Sequence, residues 1–141
     1  MSASGQPDTL DDELIAAASA VVDAAYDPDW HFVGAAVRTA SGEIYTGVNL
    51  QAYVSRIAVC AEPIALGQAV LAGDGLVVRA VAVFKAGVDE APVVCSPCGM
   101  CREILNDYGG GVVQVIVPGE GGARKMTGVE LLPNKYVRDG E

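Results

Sequence analysis

The chain has 141 residues, of which 51% are hydrophobic, and its 9 basic and 18 acidic side chains give a formal net charge of −9. This length suits one domain spanning 1–141. The chain contains neither a run of roughly 18 apolar residues nor a secretory signal. We therefore expect no membrane contact and a cytoplasmic location. Nucleic acids gain affinity from Lys and Arg side chains that displace their counterions, so this acidic chain is expected to act on a small molecule instead.

The first part of the chain is predicted to form a helix and then a hairpin. Residues 1–8 are expected to be disordered. Apolar residues recur at helical spacing over 8–27, and Asp8 or Thr9 can cap this helix. The segment 32–50 then predicts a β-hairpin with Ser41-Gly42 as its turn.

Helices and strands alternate in the rest of the chain. The second helix must begin near Cys60, because Pro63 is tolerated only in a first turn. The further predicted elements are a strand over 77–85, a helix over 97–111, a strand over 112–118 and a short helical turn within 128–136, with glycine-rich turns at 109–111 and 119–122. This alternation predicts an α/β fold with a mostly parallel sheet and helices on both faces.

Two short motifs fall on the predicted starts of the second and third helices. They are Cys60-Ala61-Glu62 and Ser96-Pro97-Cys98-Gly99-Met100-Cys101. Both helices are expected to point their N-termini at the carboxyl ends of the strands, where ligands bind in open α/β sheets. Three thiolates on Zn²⁺ leave the fourth tetrahedral position open for a water whose pKa falls to roughly 7. Glu62 is close enough in sequence to accept and deliver that water's protons.

Other interpretations of the cysteines are a closed structural zinc site that includes Cys95, or a redox pair. A closed site would leave Glu62 without a function, and a redox pair needs no third cysteine. We therefore expect Cys95 to be a buried residue at a strand end. The single histidine, His31, could lie in the pocket, at its rim or in the core, and it is not expected to bind metal.

Zinc nucleobase deaminases carry a ligand, any residue and Glu, followed by P-C-x-x-C. This chain reads C-A-E and P-C-G-M-C, and adds FVGAAV, GVN and ELLPNKY. With these segments it resembles the cytidine deaminase superfamily, and within it the small cytidine and blasticidin S deaminases. The resemblance implies a three-layer α/β/α fold around a five-stranded mixed sheet, a Zn²⁺ cofactor and a homotetramer whose neighbouring subunits help to close each active site.

Carried over by position, the resemblance implies a role for each residue of the site. The zinc ligands are Cys60, Cys98 and Cys101, the proton shuttle is Glu62, the sugar contact is Asn49, and the Ala61 N–H lies near the pyrimidine carbonyl. Tyr136 either stacks on the substrate or packs in the fold, and Arg102 either donates to a thiolate or is an exposed helix residue. The chain departs from cytidine deaminases at Gln51 and Ala52, where Glu and Asn are usual, and at Pro63, where Arg is usual. It departs from blasticidin S deaminases at Arg138, where they carry Trp.

The implied reaction is hydrolytic removal of the exocyclic amine of a cytosine-type nucleoside, or of an analogue such as blasticidin S, giving a uracil-type product and ammonia. Gln51 would still bind a sugar hydroxyl, but less strongly than a carboxylate. The alternatives are a deaminase of another amino-heterocycle, such as a nucleobase or triazine, and a non-catalytic zinc-stabilised binding protein.

Overall fold

The computed structural model describes residues 5–139. In chain order its elements are α1 (Thr9–Ala25), β1 (Val33–Thr39), β2 (Ile44–Val48), a 3₁₀ turn (Ser55–Ile57), α2 (Ala61–Leu71), β3 (Val77–Phe84), β4 (Val93–Cys95), α3 (Gly99–Gly109), β5 (Gln114–Gly119), β6 (Gly122–Thr127) and α4 (Gly128–Leu131). The three long helices and the closing turn fall where the sequence predicts them.

Within residues 5–139 the sheet has six strands, and all but one of its strand pairs are antiparallel. The strand order is β2-β1-β3-β5-β6, and the short β4 pairs with β3. Only β3 and β5 pair in parallel, whereas the β1–β2, β1–β3, β3–β4 and β5–β6 pairs are antiparallel. The mixed sheet with a five-stranded path is confirmed, but the mostly parallel arrangement is wrong. Although α2 connects β2 to β3, the antiparallel β1 lies between them.

Helices cover both faces of the sheet, which confirms the three-layer α/β/α arrangement. Successive residues of β1 point to opposite faces, as the period of a strand requires. On one face α1 packs in a cluster formed by Leu14, Ala18, Val22, Ala36, Val81, Val83 and Ile116. On the other face α2 and α3 share a cluster that includes Ala35, Val37, Ala65, Leu66, Ala69, Leu105, Val115 and Val117. Among the described helices, none combines the length and apolar character needed to cross a membrane.

The segment before α1 is tied to the sheet from residue 5 onward. Residues 1–4 lie outside the described part, but residues 5–8 are hydrogen-bonded instead of disordered. Gly5 pairs with Lys125 through two backbone bonds of 3.1 and 2.6 Å. Asp8 caps α1 in a reciprocal capping box with Asp11, and both carboxylates form ion pairs with Arg79 and Lys125. This four-charge cluster, Asp8–Asp11–Arg79–Lys125, is what orders the segment.

Gly47 of β2 allows α2 to lie close against the sheet. A Cβ atom at this position would be 2.6 Å from the backbone nitrogen of Ala65 and 2.8 Å from the Cβ of Ile64. Real Cβ atoms essentially never approach other atoms so closely. The absence of a side chain at Gly47 therefore lets α2, whose N-cap is Cys60, lie close to the sheet.

Candidate active site

Cys60 and Cys98 occupy the same structural position, because each is the N-cap of a helix. Both have extended backbone angles, and neither side chain caps its own helix. Pro63 lies in the first turn of α2, where its missing N–H has no intrahelical acceptor to lose. The two Sγ atoms lie 3.3 Å apart. The N-terminal ends of α2 and α3 therefore converge on one point.

Cys101 completes a cluster of three thiols. It lies in the first turn of α3 and is fully buried. The sulfur atoms of Cys60, Cys98 and Cys101 all lie within 4.8 Å of one another, and within residues 5–139 no other group of three potential ligands is so close. Zn–S bonds of about 2.3 Å in a tetrahedron place bound sulfurs about 3.8 Å apart, so the donor set fits zinc. Cys95 lies outside the cluster, which disfavours the closed four-cysteine site.

The three thiols differ in acidity. Burial raises the pKa of Cys60 to about 11 and raises the pKa of Cys101 further. Partial desolvation acts to raise the pKa of Cys98 as well. Hydrogen bonds, first from the Cys101 backbone, outweigh it and bring the pKa of Cys98 below its usual value. A dication bound among the sulfurs would reverse the effect of burial, because a coordinating thiol is deprotonated.

Glu62 lies beside the thiol cluster in the first turn of α2. Its side chain is buried, with 4% of the residue exposed. Burial raises the pKa of this carboxyl above its ordinary value. A carboxyl group in such a position can exchange a proton with a reacting group, which is the requirement for a general acid–base.

A cavity of about 250 Å³ opens onto the cluster. Its lining is mostly apolar and consists of Phe32, Val33, Asn49, Ala58, Val59, Cys60, Ala61, Glu62, Ala82, Cys95, Ser96 and Cys98. An apolar cavity with a few polar groups is the usual form of a small-molecule site. Phe32, Cys95 and Ser96 were given no role in the site from the sequence, although Ser96 begins the second cysteine motif.

Asn49 lines this cavity, and the oxygen of its amide is already hydrogen-bonded within the chain. Its Oδ1 atom accepts hydrogen bonds from the backbone N–H groups of Phe32 and Val33 at 2.7 and 2.9 Å. Because both bonds use the oxygen, the Nδ2 donor is the end left for a ligand. The His31 ring also contacts Asn49, with its Nδ1 atom 2.9 Å from the Asn49 carbonyl oxygen. His31 is thus a support for Asn49 and does not line the cavity.

The cytidine and deoxycytidylate deaminase zinc-binding region matches residues 8–117 of this chain. The chain belongs to this deaminase family. It is 42% identical to the blasticidin-S deaminase of Bacillus cereus over 90% of this chain and 92% of that protein. It is 33% identical to the cytidine deaminase of Sporosarcina psychrophila over 91% of this chain and 92% of that protein. The crystal structure of cytidine deaminase from Mycobacterium leprae superposes with a TM-score of 0.74 at 30% identity, over 90% of this chain and 100% of that one. The protein is therefore a zinc-dependent hydrolytic deaminase.

Three residues of this deaminase take positions that the sequence did not predict. The Gln51 side chain is turned toward its own backbone, where Oε1 accepts from the Ala52 N–H at 3.0 Å. Tyr136 is 74% exposed and borders a separate concavity on α3 instead of the active-site cavity. Arg102 donates to the carbonyl oxygens of Pro97 and Leu131 at 2.9 and 3.2 Å, and has no hydrogen bond to a sulfur among the described contacts.

Proposed function

We propose that this deaminase removes the exocyclic amine of a cytosine-type nucleoside or close analogue, with a uracil-type product and ammonia as the result. The observation that carries the proposal is the position of Glu62, a buried carboxyl beside three converging thiols at one end of an apolar cavity. The names of the relatives support it, because they include a blasticidin-S deaminase and cytidine deaminases.

In the proposed mechanism Cys60, Cys98 and Cys101 hold the zinc ion. When bound, zinc supplies the Lewis acidity that makes water a nucleophile near neutral pH. Glu62 takes a proton from the attacking water and delivers it to ring nitrogen N3 as the C4–O bond forms. It then carries the second proton to the departing amino nitrogen, so that ammonia leaves as the C4–N bond breaks. The same carboxyl thus acts as base and then as acid.

The substrate is oriented by groups on either side of the reacting carbon. The Ala61 N–H, at the first position of α2, has no intrahelical acceptor and is proposed to donate to the pyrimidine carbonyl. The Nδ2 of Asn49 is proposed to donate to a sugar hydroxyl. Gln51 follows Asn49 by two residues and is proposed to contact the sugar once its side chain turns away from Ala52. Phe32 lines the cavity and gives the base an aromatic surface.

We further propose that the active enzyme is a homotetramer. Large apolar side chains are exposed in the segment between β2 and α2, notably Tyr53 at 96% and Ile57, and at the end of α2, where Leu71 is 86% exposed. Association between subunits would cover them, since large exposed apolar patches mark interaction surfaces. Tyr136, remote from the cavity of its own chain, would take part only in a neighbouring subunit's site. Light scattering after gel filtration should give about four times the 14.5 kDa chain mass.

The proposed substrate class is tested by following the loss of cytosine absorbance together with the release of ammonia. The zinc-loaded protein is incubated with cytidine, deoxycytidine and blasticidin S, and then with amino-purines and amino-triazines. Turnover of a cytosine compound supports the proposal. Ammonia from only a purine or triazine would replace the substrate class, and no ammonia from any compound would remove the catalytic claim.

A further inference from the structure

Arg102 binds the two carbonyl groups that flank Cys98. Its guanidinium Nε donates to the Pro97 carbonyl oxygen at 2.9 Å, and its backbone N–H donates to the Cys98 carbonyl oxygen at 3.0 Å. The bond to Cys98 is an ordinary helical bond that any residue but proline would make at 102, so the side chain itself fixes the peptide group before this thiol. This matters because Cys98 is exposed and no side chain caps its helix, so the peptide that leads into the cysteine is held from the Arg102 side.

The same guanidinium is anchored at its other end. Its Nη1 donates to the carbonyl oxygen of Leu131 at 3.2 Å, the last residue of α4. That helix is itself fixed by a capping box between Thr127 and Glu130. Arg102 thus joins the peptide before Cys98 to a rigid turn about thirty residues later in the chain.

A second contact fastens the chain beyond α4 to α3 without touching Cys98. Lys135 forms ion pairs with Glu103 at 3.0 Å and with Asp107 at 2.6 Å. These residues lie on α3 beyond the metal-binding turn. Lys135 therefore offers a comparison with Arg102, because it holds α3 to the same C-terminal segment but makes no bond to the carbonyls around Cys98.

We infer that Arg102 is a positioning residue for the Cys98 thiol, acting through the geometry of its fork and not through its charge on the thiolates. The inference rests on the proposed function only for the assignment of Cys98 as a zinc ligand. A planar guanidinium reaches two carbonyls in fixed directions, whereas the single ammonium of Lys does not reproduce a fork. Residues that orient metal ligands commonly contribute 10- to 100-fold to metal affinity.

Zinc affinity is measured by competition with a chromophoric chelator for the wild type and for the variants Arg102→Lys, Arg102→Gln and Lys135→Gln. Circular dichroism confirms that each is folded at the temperature used. Both Arg102 variants should bind zinc at least about tenfold more weakly, and their Co²⁺ derivatives should show altered thiolate-to-cobalt absorption. Lys135→Gln should lower the unfolding temperature and leave zinc affinity within about twofold of the wild type.

Wild-type affinity in Arg102→Lys, with a loss only in Arg102→Gln, would show that charge is what matters and overturn the inference. Equal losses in Lys135→Gln would also overturn it, because they would trace the effect to the stability of α3. Cys98→Ala separates this inference from the proposed function, since it needs no substrate. If Cys98→Ala keeps wild-type affinity, the ligand assignment fails and the inference falls with it. If only Cys98→Ala loses affinity, Arg102 alone is wrongly assigned.

Discussion

The Sγ atoms of Cys60 and Cys98 lie 3.3 Å apart, although the two residues are 38 positions apart in sequence. Their proximity follows from the packing of α2 and α3 side by side on one face of the sheet. Each helix places the positive end of its dipole at its cysteine, which favours the thiolate form. Two helix N-termini therefore favour the thiolate form at one point, against the burial that raises the pKa of Cys60 and Cys101.

Substitution of the clustered thiols should remove the metal, whereas substitution of Cys95 should not. Cys60→Ala, Cys98→Ala and Cys101→Ala each leave two sulfurs, too few to hold zinc as an open three-ligand site does. Cys95→Ala is the matched control, because Cys95 lines the cavity but lies outside the cluster. Zinc content by atomic emission after dialysis is the measurement. Zinc loss in Cys95→Ala would revive the closed four-cysteine site.

Glu62→Gln should separate metal binding from turnover. The amide is similar in size to the buried carboxyl and cannot exchange protons, so we expect full zinc content and a fall in kcat/KM of about 10²- to 10⁴-fold. Steady-state kinetics and zinc analysis on the same preparation test this. Turnover within a few-fold of the wild type would exclude Glu62 as the group that moves the protons.

Gln51→Glu should shift the enzyme toward ordinary ribosides. A carboxylate accepts a hydrogen bond from a sugar hydroxyl more strongly than an amide does, and a difference of roughly 1 kcal/mol corresponds to about a fivefold gain in kcat/KM for cytidine. Gln68→Glu introduces the same charge change at an exposed position of α2 and should leave kcat/KM unchanged. An equal response of both variants would trace the effect to overall charge and not to a sugar contact.

Gly47→Ala should destabilise the fold and disturb the start of α2. The added methyl group would meet the Ala65 backbone nitrogen at 2.6 Å, and overpacking of this kind costs about 1–3 kcal/mol in the free energy of unfolding. Gly67→Ala is the control, because a Cβ there meets nothing within 4 Å and alanine favours a helix by about 1 kcal/mol. Urea unfolding of the two variants should give shifts of opposite sign.

The cluster formed by Asp8, Asp11, Arg79 and Lys125 should make stability fall in acid. Partial burial acts to raise the pKa of Asp8. Hydrogen bonds and charge from Arg79 outweigh it and hold that pKa well below its ordinary value. Because the native pKa is below the unfolded value of about 3.9, Asp8 contributes its full stabilisation above that pH and loses it as the pH falls further.

Asp8→Asn tests this assignment, because asparagine also caps helices but carries no charge. It should lower the unfolding temperature by several degrees at pH 6, and the difference from the wild type should shrink below pH 4. Asp12→Asn removes an exposed charge from the same turn and should give a smaller shift at pH 6. If the Asp8→Asn difference stays constant from pH 6 to pH 2, ionised Asp8 does not stabilise the fold.

The sequence was most informative where local chemistry restricts the backbone. Pro63 required α2 to begin near Cys60, and the joined cysteine motifs predicted three thiols that the fold brings together. Two strands with weak local signals were missed. The residues of β6, Gly122–Thr127, have little β-propensity of their own and are ordered by pairing with β5. The three-residue β4 is too short to show a pattern.

Side-chain partners were harder to predict than element positions. Arg102 was expected to donate to a thiolate or to be exposed, but its partners are carbonyl groups of Pro97 and Leu131. A guanidinium beside three sulfurs suggests charge compensation, and no sequence pattern marks a backbone oxygen as an acceptor. The orientation of Asn49 likewise depends on Phe32 and Val33 across the hairpin, which only the assembled sheet brings near.

The contact between Asp8 and Lys125 joins positions 117 residues apart. During synthesis on the ribosome, the first helix leaves the exit tunnel long before the last strand exists. Its N-terminal turn therefore cannot be clamped until β6 has been synthesised, and a stalled nascent chain ending before β6 would leave Asp11 without the lysine that pairs with its buried carboxylate. The order of translation thus delays formation of the ion cluster until more than a hundred residues after Asp8 have been added.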